Sequence, residues 1–151
     1  MLLLKTNRGY RPLLAVIAEV SMKTLVVYFS KTGNTKRVAE AAIKELDGCD
    51  VAELLFDEKA NTIEGAVDPS GYERVVLLSP IWAFSLAEPM KLYLKEFGKS
   101  IQNYSLIVTC GMFGLRGCVR NCVKAAGKPP VKSIKIRAKH VIAGSFDIKG
   151  I

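Results

Sequence analysis

The chain has 151 residues, half of them hydrophobic, and a formal net charge of +8. That length suits one domain with a buried core. No apolar run approaches the roughly 20 residues of a membrane-spanning helix, which excludes a bundle of transmembrane helices.

The positive charge is unevenly spread. Residues 23–119 hold 11 Lys/Arg against 12 Asp/Glu, whereas residues 120–151 hold eight Lys/Arg against Asp147 alone. A basic face for an acidic partner or for nucleic acid is one reading. A solvated surface is the other, and it is favoured. Lys124, Lys128, Lys132, Lys135 and Lys139 are separated by apolar residues, with no aromatic interleaving. Neither a nucleic-acid partner nor a membrane is expected.

Residues 1–21 read as an N-terminal extension ahead of the domain 22–151, because Met22 stands directly before the first strand pattern. Lys5, Arg8 and Arg11 followed by Pro12–Ala18 have the outline of a signal peptide, but Glu19 closes the run and no cleavage pattern follows. Pro12 also suits the first turn of a helix. From Thr24 the pattern alternates strand and helix. Strands are expected at 24–29, 50–55, 74–79, 104–109 and 131–137. Helices are expected at 35–47, 87–97 and 115–126, and a weak one within 57–72. Val38, Ala39, Ala42, Ile43 and Leu46 form one apolar stripe on the first helix. Strand–helix alternation implies parallel βαβ units in a doubly wound α/β sheet of five strands.

Residues 138–151 are too few for a full closing helix, so the C-terminal helix is expected to be incomplete. One face of the sheet then needs another cover, and a helix over 11–20 is a candidate. Cys49, Cys110, Cys118 and Cys122 lack metal-ligand spacing, and the single histidine, His140, is distant. Four reduced thiols and a cytoplasmic location are the expectation, with a regulatory Cys118–Cys122 disulfide as the alternative.

The turn between the first strand and first helix is the most informative stretch. It reads Ser30-Lys31-Thr32-Gly33-Asn34-Thr35. Three hydroxyls, an amide and a glycine at a helix N-terminus suit a bound phosphate. Neither G-x-x-x-x-G-K-[ST] nor G-x-G-x-x-G is present, so triphosphate hydrolysis and a dinucleotide fingerprint have no support. The plain alternative is a polar helix-capping turn. Two further loops follow strand ends and should meet the first, since ligands of open α/β sheets bind beyond the carboxyl ends of strands. After the third strand come Ser79-Pro80-Ile81-Trp82-Ala83-Phe84-Ser85, with aromatic rings suited to stacking a flat ligand. The alternative is that Trp82 only packs on the following helix. After the fourth strand come Thr109-Cys110-Gly111-Met112-Phe113-Gly114, where two glycines admit close backbone approach or simply make a turn.

Ser30–Thr35, Ser79–Phe84 leading to Glu88-Pro89, and Thr109–Gly114 together resemble the phosphate loop and the two isoalloxazine loops of short-chain flavodoxin-family proteins. The resemblance covers residues 22 to about 146. It implies the flavodoxin-like strand order 2-1-3-4-5, with FMN at the switch point between strands one and three, the established arrangement of that family. Carried over by position, Ser30, Thr32, Gly33, Asn34 and Thr35 would hold the phosphate. Pro80, Ile81, Trp82, Ala83 and Phe84 would flank the isoalloxazine on one side. Cys110, Gly111, Met112, Phe113 and Gly114 would line the other. The implied function is electron transfer through non-covalent FMN, with a redox protein or a small-molecule acceptor as partner. The alternatives are an FMN-dependent NAD(P)H:acceptor reductase and a flavin-free interaction domain. The chain departs from the family's typical pattern in its basic charge and in carrying Met112 and Phe113 in the third loop. No residue stands out as a general acid, base or nucleophile.

Overall fold

The computed structural model describes residues 2–6, 9–12 and 23–151. Ten strands and four helices are named here in chain order. The first two strands, β1 (Leu3–Thr6) and β2 (Gly9–Pro12), form an antiparallel hairpin with Leu3 opposite Pro12. Pro12 is the last residue of β2. The rest of the helix expected over 11–20, and of the signal-like run, lies outside the described residues.

Five parallel strands make the main sheet: β3 (Thr24–Tyr28), β4 (Asp50–Glu53), β7 (Arg74–Trp82), β9 (Tyr104–Cys110) and β10 (Lys132–Arg137). Their spatial order is β4-β3-β7-β9-β10. Counted along the chain, that is 2-1-3-4-5, as the sequence reading expects. Register runs straight across the centre, with Val27 opposite Leu77 and Leu77 opposite Leu106. The continuous apolar runs of β3, β7 and β9 follow from burial on both faces.

Side chains alternate between the two faces. Leu25, Val27, Leu77, Leu106 and Val108 pack with Leu86, Met90, Tyr93, Cys118 and Cys122. These last come largely from α2 (Glu88–Phe97) and α3 (Leu115–Ala126). Val26, Tyr28, Val76, Leu78 and Ile107 face the other way, onto Val38, Ala39 and Ala42 of α1 (Asn34–Glu45).

That second face receives its remaining cover from the C-terminus. The short helix α4 (Ala138–Ala143) supplies Val141 and ends at Gly144, whose φ is +70°. The chain then returns to bury Ile148 and Ile151 in the same cluster. The closing helix is short, as expected, and the tail beyond it adds cover to the same layer.

Residues 57–72 differ from expectation. They hold no α-helix. Instead β5 (Leu55–Asp57) and β6 (Thr62–Glu64) form a hairpin, and only a single 3₁₀ turn follows at Pro69–Gly71. Asp57 Oδ1 accepts the Lys59 and Ala60 N–H groups at 3.0 and 3.1 Å, closing the hairpin turn. Half-buried Phe56 and Ile63 pack against the core. Local side-chain bonding by Asp competes with helix here, and it wins.

The third parallel strand also runs three residues beyond expectation. Pro80, Ile81 and Trp82 complete β7, and the chain reverses into β8 (Ser85–Leu86), with Trp82 opposite Ser85. No helix among the described residues is long and apolar enough to cross a membrane.

Candidate functional site

β3, β7 and β9 place the three sequence-identified segments at one edge of the sheet. In the first, Gly33 adopts φ +96° and ψ −12°. A residue with a side chain rarely takes that conformation. The Gly33 N–H donates to Ser30 Oγ at 3.1 Å, which leaves the Ser30 hydroxyl hydrogen free to donate. No side chain caps α1. Its first-turn N–H groups, which lack intrahelical acceptors, are therefore open to an anion. Thr32 is exposed and Asn34 half-buried at this mouth. A Cβ built on Gly33 meets nothing within 4 Å, so space lies directly beside the backbone.

Thr35 is turned inward. It is 2% exposed, and its hydroxyl lies 2.8 Å from that of Thr109, which is 5% exposed. This buried pair fastens the start of α1 to the end of β9. Thr109 is a site-forming residue the sequence reading did not single out for a role, because its partner is 74 positions away.

The second segment is a strained hairpin. Ala83 and Phe84 form its two-residue turn with φ +49° and +63°, as a type I′ turn requires. Non-glycine residues held there cost about 1–3 kcal/mol each. Yet Phe84 remains 70% exposed, so its ring gains little burial in return. The turn is braced from below. Ser79, fully buried, donates its hydroxyl to Pro80 O at 2.8 Å and accepts the Ala87 N–H at 3.2 Å. Asn121 Oδ1 of α3 accepts the Leu86 N–H at 3.1 Å. Trp82 packs edge-on against Phe29, with ring centroids 5.5 Å apart. Lys31 Nζ stands 5.5 Å over the same indole while pairing with Glu58 at 3.1 Å. Trp82 therefore bridges the first and second segments.

The third segment interlocks with the second. A Cβ on Gly114 would lie 2.5 Å from Ile81 Cγ2, and one on Gly117 would overlap the Phe84 carbonyl oxygen. Only glycine permits this approach. Gly111, Met112 and Phe113 are exposed, the latter two at 58% and 66%. Cys110, by contrast, is buried, at 7% exposed. Two cations from β10 reach the loop: Arg137 Nε donates to Gly111 O and Lys135 Nζ to Met112 O, each at 3.3 Å. The alternation of β10 held the signal for these two, since positions i and i+2 share a face.

Burial pushes the Cys118 and Cys122 thiols up to about 12. They are free, as are Cys49 and Cys110. No cluster of His, Cys, Asp and Glu suited to a metal occurs among the described residues.

The fold and this loop cluster define an open doubly wound α/β domain with a polar turn and an apolar rim at its topological switch point. The flavodoxin domain model matches residues 25–150, and the chain belongs to that family. Comparison with curated protein sequences gives no match. Among solved structures, the chain is similar to a flavoprotein of Lactobacillus acidophilus NCFM in complex with FMN. The TM-score is 0.66 at 20% identity, over 83% of this chain and 99% of that one. A flavodoxin from the domain Archaea gives 0.54 at 20% identity, over 82% and 96%. A Fusobacterium nucleatum flavodoxin variant bound to flavin mononucleotide gives 0.53 at 19% identity, over 76% and 69%. At these identities the likeness is one of fold.

Proposed function

We propose that this protein binds FMN non-covalently and carries electrons through it. The observation that supports the reading best is the Ser30–Thr35 turn. Its glycine-permitted backbone, uncapped helix start and open space form a cradle for a singly esterified phosphate. The similar solved structures of the Lactobacillus and Fusobacterium proteins, which hold FMN, accord with this.

The residues divide the work. Ser30, Thr32 and Asn34 offer side-chain hydrogen bonds to the phosphate, and Gly33 admits it to the backbone amides. Thr35 contributes its N–H while its hydroxyl holds the loop to Thr109. On the ring side, Trp82, Ala83 and Phe84 from the hairpin oppose the backbone of Cys110–Gly114 and the side chains of Met112 and Phe113. Pro80 and Ile81 set the hairpin's position. Apolar walls exclude water from one part of the ring, and backbone groups of the third loop meet its polar edge. The bound flavin supplies the redox chemistry.

Carrier is favoured over reductase by the shortness of the loops. Two residues join β7 to β8, and four join β9 to α3. A reductase needs added walls to hold a second substrate over the ring. The partner is then a redox protein or a small-molecule acceptor, and the four free thiols accord with a cytoplasmic setting.

The test is an absorbance spectrum after incubation with FMN and desalting. A retained flavin spectrum, lost when Thr32 and Thr35 are replaced by glutamate, is the expected result. A colourless protein from a folded preparation would overturn the cofactor assignment. Rapid NAD(P)H oxidation with a quinone would overturn the carrier assignment in favour of a reductase.

A further inference from the structure

Lys135 and Arg137 occupy alternate positions of the edge strand β10, so their side chains rise from the same face. They converge on consecutive carbonyls: Arg137 on Gly111 O and Lys135 on Met112 O. These bonds fix more than the oxygens. A trans peptide is planar, with its N–H antiparallel to its C=O, and the described chain contains no cis bond. Drawing the Gly111 carbonyl toward β10 turns the Met112 N–H away from it. Drawing the Met112 carbonyl toward β10 does the same to the Phe113 N–H.

Sheet order supplies the direction. β10 lies on one side of β9 and β7 lies on the other. Amides turned away from β10 would thus open toward the β7 side of the sheet. Among the described residues, neither amide donates to a protein acceptor. The cation behind each carbonyl also polarises the peptide and strengthens the N–H as a donor. A separate sign that this charge reaches the loop comes from Cys110. Its thiol is raised by burial, and Lys135 and Arg137 pull it back down.

We propose that Lys135 and Arg137 form a cationic clamp that aims the Met112 and Phe113 amides at the polar edge of the flavin and stabilises the negative charge that edge gains on reduction. The proposal rests on the FMN reading above. A bound FMN reduced by two electrons from an external donor, with one proton from solvent, would carry one negative charge, which these amides would face. Backed by the two cations, they would favour the reduced state over the oxidised one. Lys135 and Arg137 are positioning residues and do not touch the ring. The basic C-terminal third thereby gains a role that a merely solvated surface lacks.

The test compares three proteins by FMN titration and by potentiometric titration of the bound flavin. One is the wild type. The second carries Lys135→Met with Arg137→Met, which keeps apolar stems and removes the donors. The third carries Lys44→Met with Lys124→Met, which removes the same charge from the last turns of α1 and α3, at the other end of the sheet. The clamp variant should retain FMN but lose about tenfold in preference for the reduced flavin, the worth of one charge-assisted hydrogen bond. That corresponds to a potential about 30 mV more negative for a two-electron couple. The remote variant should stay near the wild type, and Lys135→Arg with Arg137→Lys should restore most of the shift. Wild-type binding with equal potentials in the clamp and remote variants would overturn the clamp alone. No FMN binding by the wild type would overturn the clamp together with the cofactor assignment.

Discussion

The Thr35–Thr109 pair offers a clean test of how the site is held together. Each hydroxyl is buried, and each has the other as its partner at 2.8 Å. Replacing one threonine with valine leaves the other hydroxyl buried and unpaired. The desolvation penalty of such a group is about 1–3 kcal/mol. Replacing both removes the polar need along with the bond, which is nearly neutral when shape is kept. Thr35→Val and Thr109→Val should each therefore destabilise by about 2 kcal/mol. For a domain of this size that lowers Tm by about 4–8 °C. The double variant should melt within a few degrees of the wild type. The assay is thermal unfolding of all four proteins without added flavin, so that ligand binding does not enter the comparison. Additive losses in the double variant would refute the reasoning, because they would mean that each threonine acts through its own packing and not through the shared bond.

Four further outcomes follow from particular atoms. Gly117→Ala gains about 1 kcal/mol of helix propensity, but its Cβ overlaps the Phe84 carbonyl. Overpacking costs of about 1–3 kcal/mol should win, giving a less stable protein with NMR shifts concentrated at residues 83–85; a more stable variant would contradict the contact. Gly33→Ala should lose about 1–2 kcal/mol in urea unfolding, because φ is +96° although the space is open. Gly111→Ala, equally open but without a positive φ, should stay within about 0.5 kcal/mol of the wild type. The Cys118 and Cys122 thiols give a pH dependence. Their folded values, about 12, lie above the ordinary value of 9.0. The native state thus holds protons that the unfolded chain releases, and the stability they contribute is present below about pH 9 and lost as pH rises toward 12. Urea midpoints should fall over that window, and less steeply in Cys118→Ala with Cys122→Ala; identical slopes would remove the thiols from the account.

The parallel sheet was legible because two-sided burial writes itself as uninterrupted apolar strands, as in Val75–Leu78. The Ser30–Thr35 segment was legible as a strand-to-helix turn because the residue types that shape such a turn are few and local. What escaped was either ambiguous locally or decided at long range. The 57–72 stretch carries too few apolar residues to show either period, and Asp57 settled it through two backbone bonds. Pro80 read as a loop residue, yet it lies within β7 as the last residue paired with β9, opposite Thr109. Ile148 and Ile151 sit beyond a glycine with no helical spacing, so nothing local marked them as core. Nothing local marked Lys135 and Arg137 as loop contacts, because the carbonyls they reach lie more than twenty residues earlier.

The Ala83-Phe84 turn has a consequence for how this chain tolerates change. Asparagine and glycine are the favoured occupants of a two-residue turn with both φ positive, so substitution toward Asn-Gly is a readily available route to a sturdier molecule. It is also a route that deletes the aromatic ring at the rim. Selection for thermal robustness alone would drift through this turn and leave a fold intact in every strand while its mouth lost a wall. In a stability screen of this protein, gains at residues 83 and 84 are therefore the ones to distrust.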